Sequence, residues 1–416
     1  MNLESLVDLI SETTDSLVRS VCSEEQLCRL GLRRSARLPV TAALHRALNI
    51  PIVLITDRAD HALALVEELK LWAPDVWNLL FPEPNPLFYE DAAWGEATRR
   101  DRLLVLTLLA AYHIPGAHRP EKPPIIIVPA RALMTRTLPR GEFLLATRYL
   151  KRGQNINLSQ LLRSWVCLGY EPVSTVIAPG EFARRGGILD LWPPAERLPV
   201  RIELFGDEIE TIRRFDPATQ RTIKRDSKSA VEDHDSLRVL VSPAREFLIP
   251  PDQAPPAEET FTQPDVQKYT EFQIPELHTA GASLLDYLPR ESLVLIDNVM
   301  VLEDLFNEVE EQAVRMRQDS VRDGTLEETF PIPYMTLSEI VDTLSQQQVL
   351  ELGPVAADLD REDEAHIPVD LVEMPDASLE LAERFSAGPR FGGRLKLVME
   401  YMLERYRAGE DLLITS

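Results

Sequence analysis

Three short runs built almost wholly of apolar residues constrain the fold more than any other feature: PIVLIT at 51–56, PPIIIV at 123–128 and SLVLID at 292–297. A strand with one wet face alternates apolar and polar residues. A continuous apolar run of this length suits a strand buried on both faces, the habit of parallel sheets covered by helices. The intervening sequence supplies helical periodicity in ADHALALVEELKLW (59–72), ATRRDRLLVLTLLAAYH (97–113) and VLEDLFNEVEEQAVRMRQ (301–318). VWNLLF (76–81) adds a strand, TAALHRALN (41–49) a helix, and LESLVDLISETTDSLVRSV (3–21) a single amphipathic helix. Asp57 is placed to cap the helix that follows the first strand. Strands alternating with helices predict an α/β fold with a parallel sheet.

The pattern changes near residue 139. After a helix at 158–170, short strands take over: EPVSTVI (171–177), GILDLWP (187–193), VRIELFG (200–206) and EIETIRRFD (208–216), with turns marked by Gly180, Gly186, Gly187 and Gly206. This predicts a small β-rich unit. Alternating charges at Arg201, Glu203, Asp207, Glu208, Arg213, Arg214 and Asp216 predict cross-strand ion pairs on a solvated face, and Trp192 reads as core. LRVLVSP (237–243) returns to a buried strand, 250–265 is a Pro/Glu-rich loop, and 351–383 reads as an acidic linker. Residues 392–416 read as a helix, a glycine turn and the start of a strand, so a fragment of a longer protein is expected.

Charge narrows the partners. Residues 251–416 hold 35 acidic against 12 basic residues, which is the whole net charge of −23; residues 1–250 hold 32 of each. So acidic a C-terminal part repels a phosphate backbone. Residues 140–225, with 14 basic and 10 acidic side chains, are the segment best suited to an acidic partner. The three cysteines show no paired spacing and the seven histidines no ligand spacing, so neither a disulfide framework nor a metal site is expected, and a reducing, cytoplasmic compartment is. The longest apolar run, 103–113, is too short for a membrane span. ATRRDR (97–102) is a helical segment able to touch phosphate.

GLRRSARLPV at 31–40 has the frame of a phosphate-binding loop without its chemistry. A working loop, G-x-x-x-x-G-K-[ST], needs a second glycine, a lysine and a magnesium-holding hydroxyl. Here Gly31 and Ser35 remain in place, but Ala36 stands for the glycine, Arg37 for the lysine and Leu38 for the hydroxyl. Arg37 is able to pair an anion, but Leu38 cannot ligate Mg²⁺ and the Ala36 Cβ stands where backbone must approach closely. The expectation is a loop that leads into a helix and is kept for the fold, with no catalytic residue and no bound cofactor or metal.

GEFARRGGILDLWPP, VRIELFGDEIETIRRFDP and TQRT, within residues 169–222, closely resemble the intermediate domain shared by UvrB and the transcription-repair coupling factor (Mfd) family. The opening loop resembles the degenerate phosphate loop of Mfd. In LVLIDN (293–298) Asp297 is present, but Asn298 replaces the glutamate and Met300 the histidine of a D-E-x-H box. Joint erosion of both ATPase signatures favours Mfd over UvrB. The resemblance implies a degenerate helicase-like, P-loop NTPase-type domain split in two, 1–138 and 227–345, an inserted UvrA-binding domain at 139–226, and a linker and truncated further domain at 346–416. It also implies UvrA as partner, contacted by Arg185, Arg184 and Phe182; Glu171 departs from the basic residue frequent there. RNA polymerase, double-stranded DNA, ATP and Mg belong, on this resemblance, to C-terminal motor domains. The alternative is a UvrB-like, nucleotide-dependent damaged-DNA-binding protein.

Overall fold

The computed structural model describes residues 3–22, 29–90, 92–223, 238–250, 270–278, 281–353, 381, 385, 391 and 394–409. Its three apolar runs become neighbouring strands. β1 (Ile52–Thr56) lies at the centre of a five-stranded sheet, flanked by β3 (Ile125–Pro129) and then β2 (Asn78–Leu80) on one side. On the other side come β11 (Leu293–Ile296) and then β12 (Gln348–Glu351), and every pairing is parallel.

Alternate strand residues feed two separate apolar layers, which is why the centres of these runs, 52–55, 125–128 and 293–296, contain no polar position. Ile52, Leu54, Ile125, Ile127, Leu293 and Leu295 pack beneath α1 (Glu4–Thr13), α2 (Asp15–Cys22), α3 (Arg34–Leu48) and α4 (Ala59–Trp72). Val53, Ile55, Ile126, Val128, Val294 and Ile296 pack on the opposite side. There they meet α5 (Glu96–Ala110), α6 (Ala130–Met134), α7 (Arg140–Ala146), α9 (Val299–Arg322) and α10 (Leu337–Leu344). Each such side chain contributes about 1.5–3 kcal/mol by leaving water.

Three local expectations change. The helix expected over 3–21 turns at Thr14, whose hydroxyl donates to Ser11 O at 2.9 Å, so that α1 and α2 each lay an apolar stripe on the sheet layer. The helix expected from residue 41 starts at Arg34, because Ala36, Leu38 and Val40 are buried with the layer below. Asp57 does not cap α4; its Oδ1 faces His61 Nδ1 at 2.6 Å.

The second unit is a five-stranded sheet in the order β5 (Glu171–Pro172), β6 (Glu181–Arg185), β7 (Ile188–Leu191), β8 (Val200–Phe205), β9 (Glu208–Arg214). Its inner face carries Phe182, Leu189, Leu191, Val200, Ile202 and Ile212 onto α8 (Leu158–Cys167), where Trp165 meets the Phe182 ring edge-on at 5.4 Å. The outer face has a smaller core of Val176, Ala183 and Phe215. The β6–β7 and β8–β9 turns lie at the same end of the sheet, with Gly186 at φ +63° and Gly206 at φ +62°, a backbone glycine adopts without strain.

LRVLVSP forms β10 (Arg238–Val241), and pairs antiparallel with β4 (Arg148–Lys151) instead of joining the parallel sheet. Past that ribbon the chain returns to the parallel-sheet unit. Arg102 of α5, wholly buried, donates from Nε to Glu246 Oε1 at 2.6 Å and from Nη2 to Oε2 at 3.0 Å, with Phe81 stacked 4.0 Å from its guanidinium carbon. The last arginine of ATRRDR is therefore an internal tie that cannot touch phosphate, whereas Arg100 of the same segment is exposed. Gly169, at φ +83°, lies against this return; a Cβ there would sit 2.3 Å from Arg245 Cγ.

The 351–383 linker and the final strand fall largely or wholly outside the described residues; α11 (Leu395–Arg407) precedes the glycine turn at Gly409. Among the described residues no helix is long and apolar enough to cross a membrane.

Candidate functional site

Parallel strands direct their C-terminal ends to one edge of a sheet, and the crevice outside that edge is where such folds bind ligands. Here the edge gathers Arg37, Asp297, Asn298 and the backbone of Gly31. Each of them is engaged within the protein. The amides of Leu30, Gly31 and Leu32 donate to the carbonyls of Glu351, Gly353 and Leu352 at 2.8, 3.2 and 2.7 Å. The N–H groups at the start of the phosphate-loop frame are thus committed to an added edge beside β12.

Ser35 is exposed on the first turn of α3, while Ala36 and Leu38 are buried. Arg37 Nη1 donates to Asp297 Oδ1 at 2.8 Å and its Nε to Leu32 O at 3.2 Å. The arginine in the lysine position therefore holds the aspartate of the second motif directly. Asn298 has a purpose of its own: it caps α9, its Oδ1 accepting from Val301 N at 3.2 Å. An asparagine side chain is among the best at satisfying a helix's unpaired first amides.

Two participants escaped sequence reading. Glu351, almost fully buried, accepts from Val299 N at 2.9 Å and lies 2.6 Å from Arg29 Nε. Burial pushes its carboxyl up, against the pull of the Val299 amide and Arg29. Gly353 packs so closely that an added Cβ would sit 2.4 Å from Asp297 O and 2.7 Å from Arg37 Nη2. A lone glutamate at a strand end, and a glycine before proline, give no signal until the sheet order is known. At this edge two arginines, Arg29 and Arg37, are matched by two carboxylates, Glu351 and Asp297, while Arg33 and Arg34 at the start of α3 are exposed.

The second candidate lies on β6. EFARR (181–185) is this strand, paired antiparallel with β7 and, at Glu181 and Phe182, parallel with β5. Phe182 is wholly buried, so the aromatic contact expected there is corrected: the ring is core. Arg184 and Arg185 are exposed and have no carboxylate partner among the described residues. Arg184 Nε reaches Gly186 O only at 3.5 Å. Arg185 is positioned: its Nη2 donates to Ser174 O at 2.9 Å and to Thr175 Oγ1 at 3.1 Å, leaving the rest of the guanidinium outward. Glu171 is exposed on β5.

The alternating charges on the strands are partly a solvated face and partly not. Arg213 approaches Glu203 at 4.0 Å and Arg214 pairs with Glu196 at 2.8 Å. Arg201 instead grips buried Asp190 through Nε at 2.7 Å and Nη2 at 2.8 Å, beneath the Phe215 ring. Asp216 accepts from the amides of Ala218 and Thr219 in the turn after β9. Trp192 is half-buried, its Nε1 donating to Glu196 O at 2.9 Å.

Residues 149–234 match the family described as the UvrB interaction domain. The chain is 28% identical over 339 residues to a transcription-repair-coupling factor of Bacillus subtilis, covering 73% of this chain and 27% of that protein. It is 33% identical over 230 residues to that of Myxococcus xanthus, covering 55% of this chain and 18% of that protein. With that of Escherichia coli it shares 32% identity over 205 residues, 49% of this chain and 16% of that protein. The chain thus spans about a quarter of the length, or less, of these curated relatives. It resembles the N-terminal, UvrB-homologous region of the transcription-repair coupling factors, with the UvrB interaction domain at its centre.

Proposed function

We propose that this chain is a recruitment module of nucleotide-excision repair in the cytoplasm, whose β-rich unit binds UvrA through Arg185. The observation that carries this reading is the coincidence of the UvrB interaction domain with an exposed, pre-oriented arginine that has no carboxylate partner among the described residues. An arginine held by a backbone carbonyl loses less freedom on meeting a partner carboxylate than a swinging one, and arginines are common interface anchors.

In this reading the parallel-sheet unit is a helicase-like scaffold that neither binds nor hydrolyses ATP. The Arg37–Asp297 pair, the occupied amides of 30–32 and the helix-capping role of Asn298 all support that assignment. Displacement of stalled RNA polymerase, translocation on double-stranded DNA, and the ATP and Mg²⁺ that drive it, belong to further domains of the full-length family.

The test is UvrA binding by the chain beside Arg185→Ala. Loss of a central charged anchor costs on the order of 2 kcal/mol, or about thirtyfold in Kd. Absence of binding by the parent chain overturns the recruitment reading.

A further inference from the structure

We infer that Phe205, at the tip of the β8–β9 hairpin, is the apolar anchor of the same partner-binding surface; this rests on the recruitment reading above. Register places it there. Arg185 of β6 pairs with Ile188 of β7, which pairs with Glu203 of β8. These three share one rung of the outer face. Phe205 lies two residues beyond Glu203 on the same strand, so it emerges on the same face, diagonal to Ile188.

The outer face is closed at one end and open at the other. Towards the chain's return it is covered by Val176 and Phe215, which bury Ala183. At the hairpin end none of the described residues covers it: Phe205 is 79% exposed and Ile188 37%. Leu204 N donates to Gly187 O at 2.8 Å, locking the two hairpin tips together, so Phe205 and the Arg185 strand are presented by one rigid edge. An isolated exposed apolar side chain needs no explanation. An exposed phenylalanine beside an exposed isoleucine, on the face of a positioned arginine with no carboxylate partner among the described residues, has the composition of an interface centre. The partner surface it fits is a carboxylate bordered by an apolar socket. It supplies the aromatic contact that buried Phe182 cannot.

The experiment measures UvrA binding by the full 416-residue chain and by Phe205→Ala, Phe205→Leu, Arg185→Ala and Leu145→Ala, at low and high salt, with melting temperatures for each. Leu145, 80% exposed on α7, is an apolar control outside the patch. Phe205→Ala is expected to weaken binding on the order of tenfold. Phe205→Leu should restore part of it, and Leu145→Ala should leave it unchanged. The Phe205→Ala deficit should persist at high salt, whereas that of Arg185→Ala should shrink as its charge is screened. Folding is controlled by the melting temperature, which an exposed side chain should not move. Phe205→Ala binding within about twofold of the parent, with Arg185→Ala weakened, overturns this inference and leaves the recruitment reading standing. No binding by the parent chain overturns both.

Discussion

Arg37 is committed to the interior of the fold. In the lysine position it does not reach outward; it turns onto Asp297, and the pair is nearly dry, at 14% and 12% side-chain exposure. Asp297→Ala should therefore leave a poorly hydrated guanidinium whose remaining hydrogen bond is to Leu32 O, at a cost of about 1–3 kcal/mol in urea unfolding. Arg37→Ala should cost less when Asp297 is already alanine than when it is present, a coupling that a double-mutant cycle reads directly. If the edge is closed to nucleotide, millimolar ATP with Mg²⁺ should leave the parent chain's melting temperature unchanged, since only a ligand that binds the folded state raises it. The sequence showed at this scale what was missing from the motifs, because a catalytic loop has a fixed alphabet. It did not show what replaced them, because Glu351 and Gly353 lie more than 310 residues from Arg37. Phe182 was misplaced for a related reason: an aromatic beside arginines reads alike whether the strand turns it inward or outward.

Elements were legible where one force dominated. β3 and β11 have no polar residue to misdirect the reading, and β1 only Thr56 at its end, since both faces are buried. β6 was hidden because its two halves face different settings: Phe182 and Ala183 are buried, Arg184 and Arg185 are not. β4 was hidden because its pattern is mostly exposed and its partner lies 87 residues on. Helix α10 makes a testable case of local chemistry. Thr336 and Glu339 form a reciprocal cap: Thr336 N donates to Glu339 Oε2 at 2.8 Å, and Glu339 N to Thr336 Oγ1 at 3.2 Å. Arg136 Nη2 donates to both carboxylate oxygens at 3.0 Å. Partial burial works to raise this carboxyl, but the Thr336 amide and Arg136 outweigh it and hold it below its ordinary value of 4.5. A depressed carboxyl stabilises the fold above its unfolded pKa, and the contribution disappears as pH falls through the lower folded value. The melting-temperature gap between the parent and Glu339→Gln should thus be widest near about pH 7 and close as the solution becomes more acidic than 4.5.

At the scale of the whole molecule, two units with separate cores are joined by buried polar contacts. Arg102 and Glu246, 0% and 1% exposed in their side chains, tie α5 to the chain just beyond β10. Thr107 donates to Ser242 Oγ at 3.2 Å one turn further along the same helix. Removing one member of such a pair strands the other in a dry site, so Arg102→Ala should cost about 3–5 kcal/mol, measured by denaturant unfolding. Hydrogen exchange should then show the amides around Ser242 opening before those of β1. The division into an α/β part and a β-rich part was readable from the change of period near residue 139. How they join was not, because the joining residues are charges that the sequence presents as surface.

The ribbon of β4 and β10 carries a last consequence. Arg148 lies directly opposite Val241, so the chain leaves the parallel-sheet unit and comes back to it across a single strand pair. Opposed residues in such a pair are about 5 Å apart. Nothing in the parallel sheet has to stretch to accommodate what lies between them. The ribbon packs Leu150, Val239 and Val241 into the core of the β-rich unit, so that unit is a cassette closed by its own strand pair. On the recruitment reading proposed above, exchange of one cassette for another with equally close ends would change the partner bound while keeping the host sheet intact.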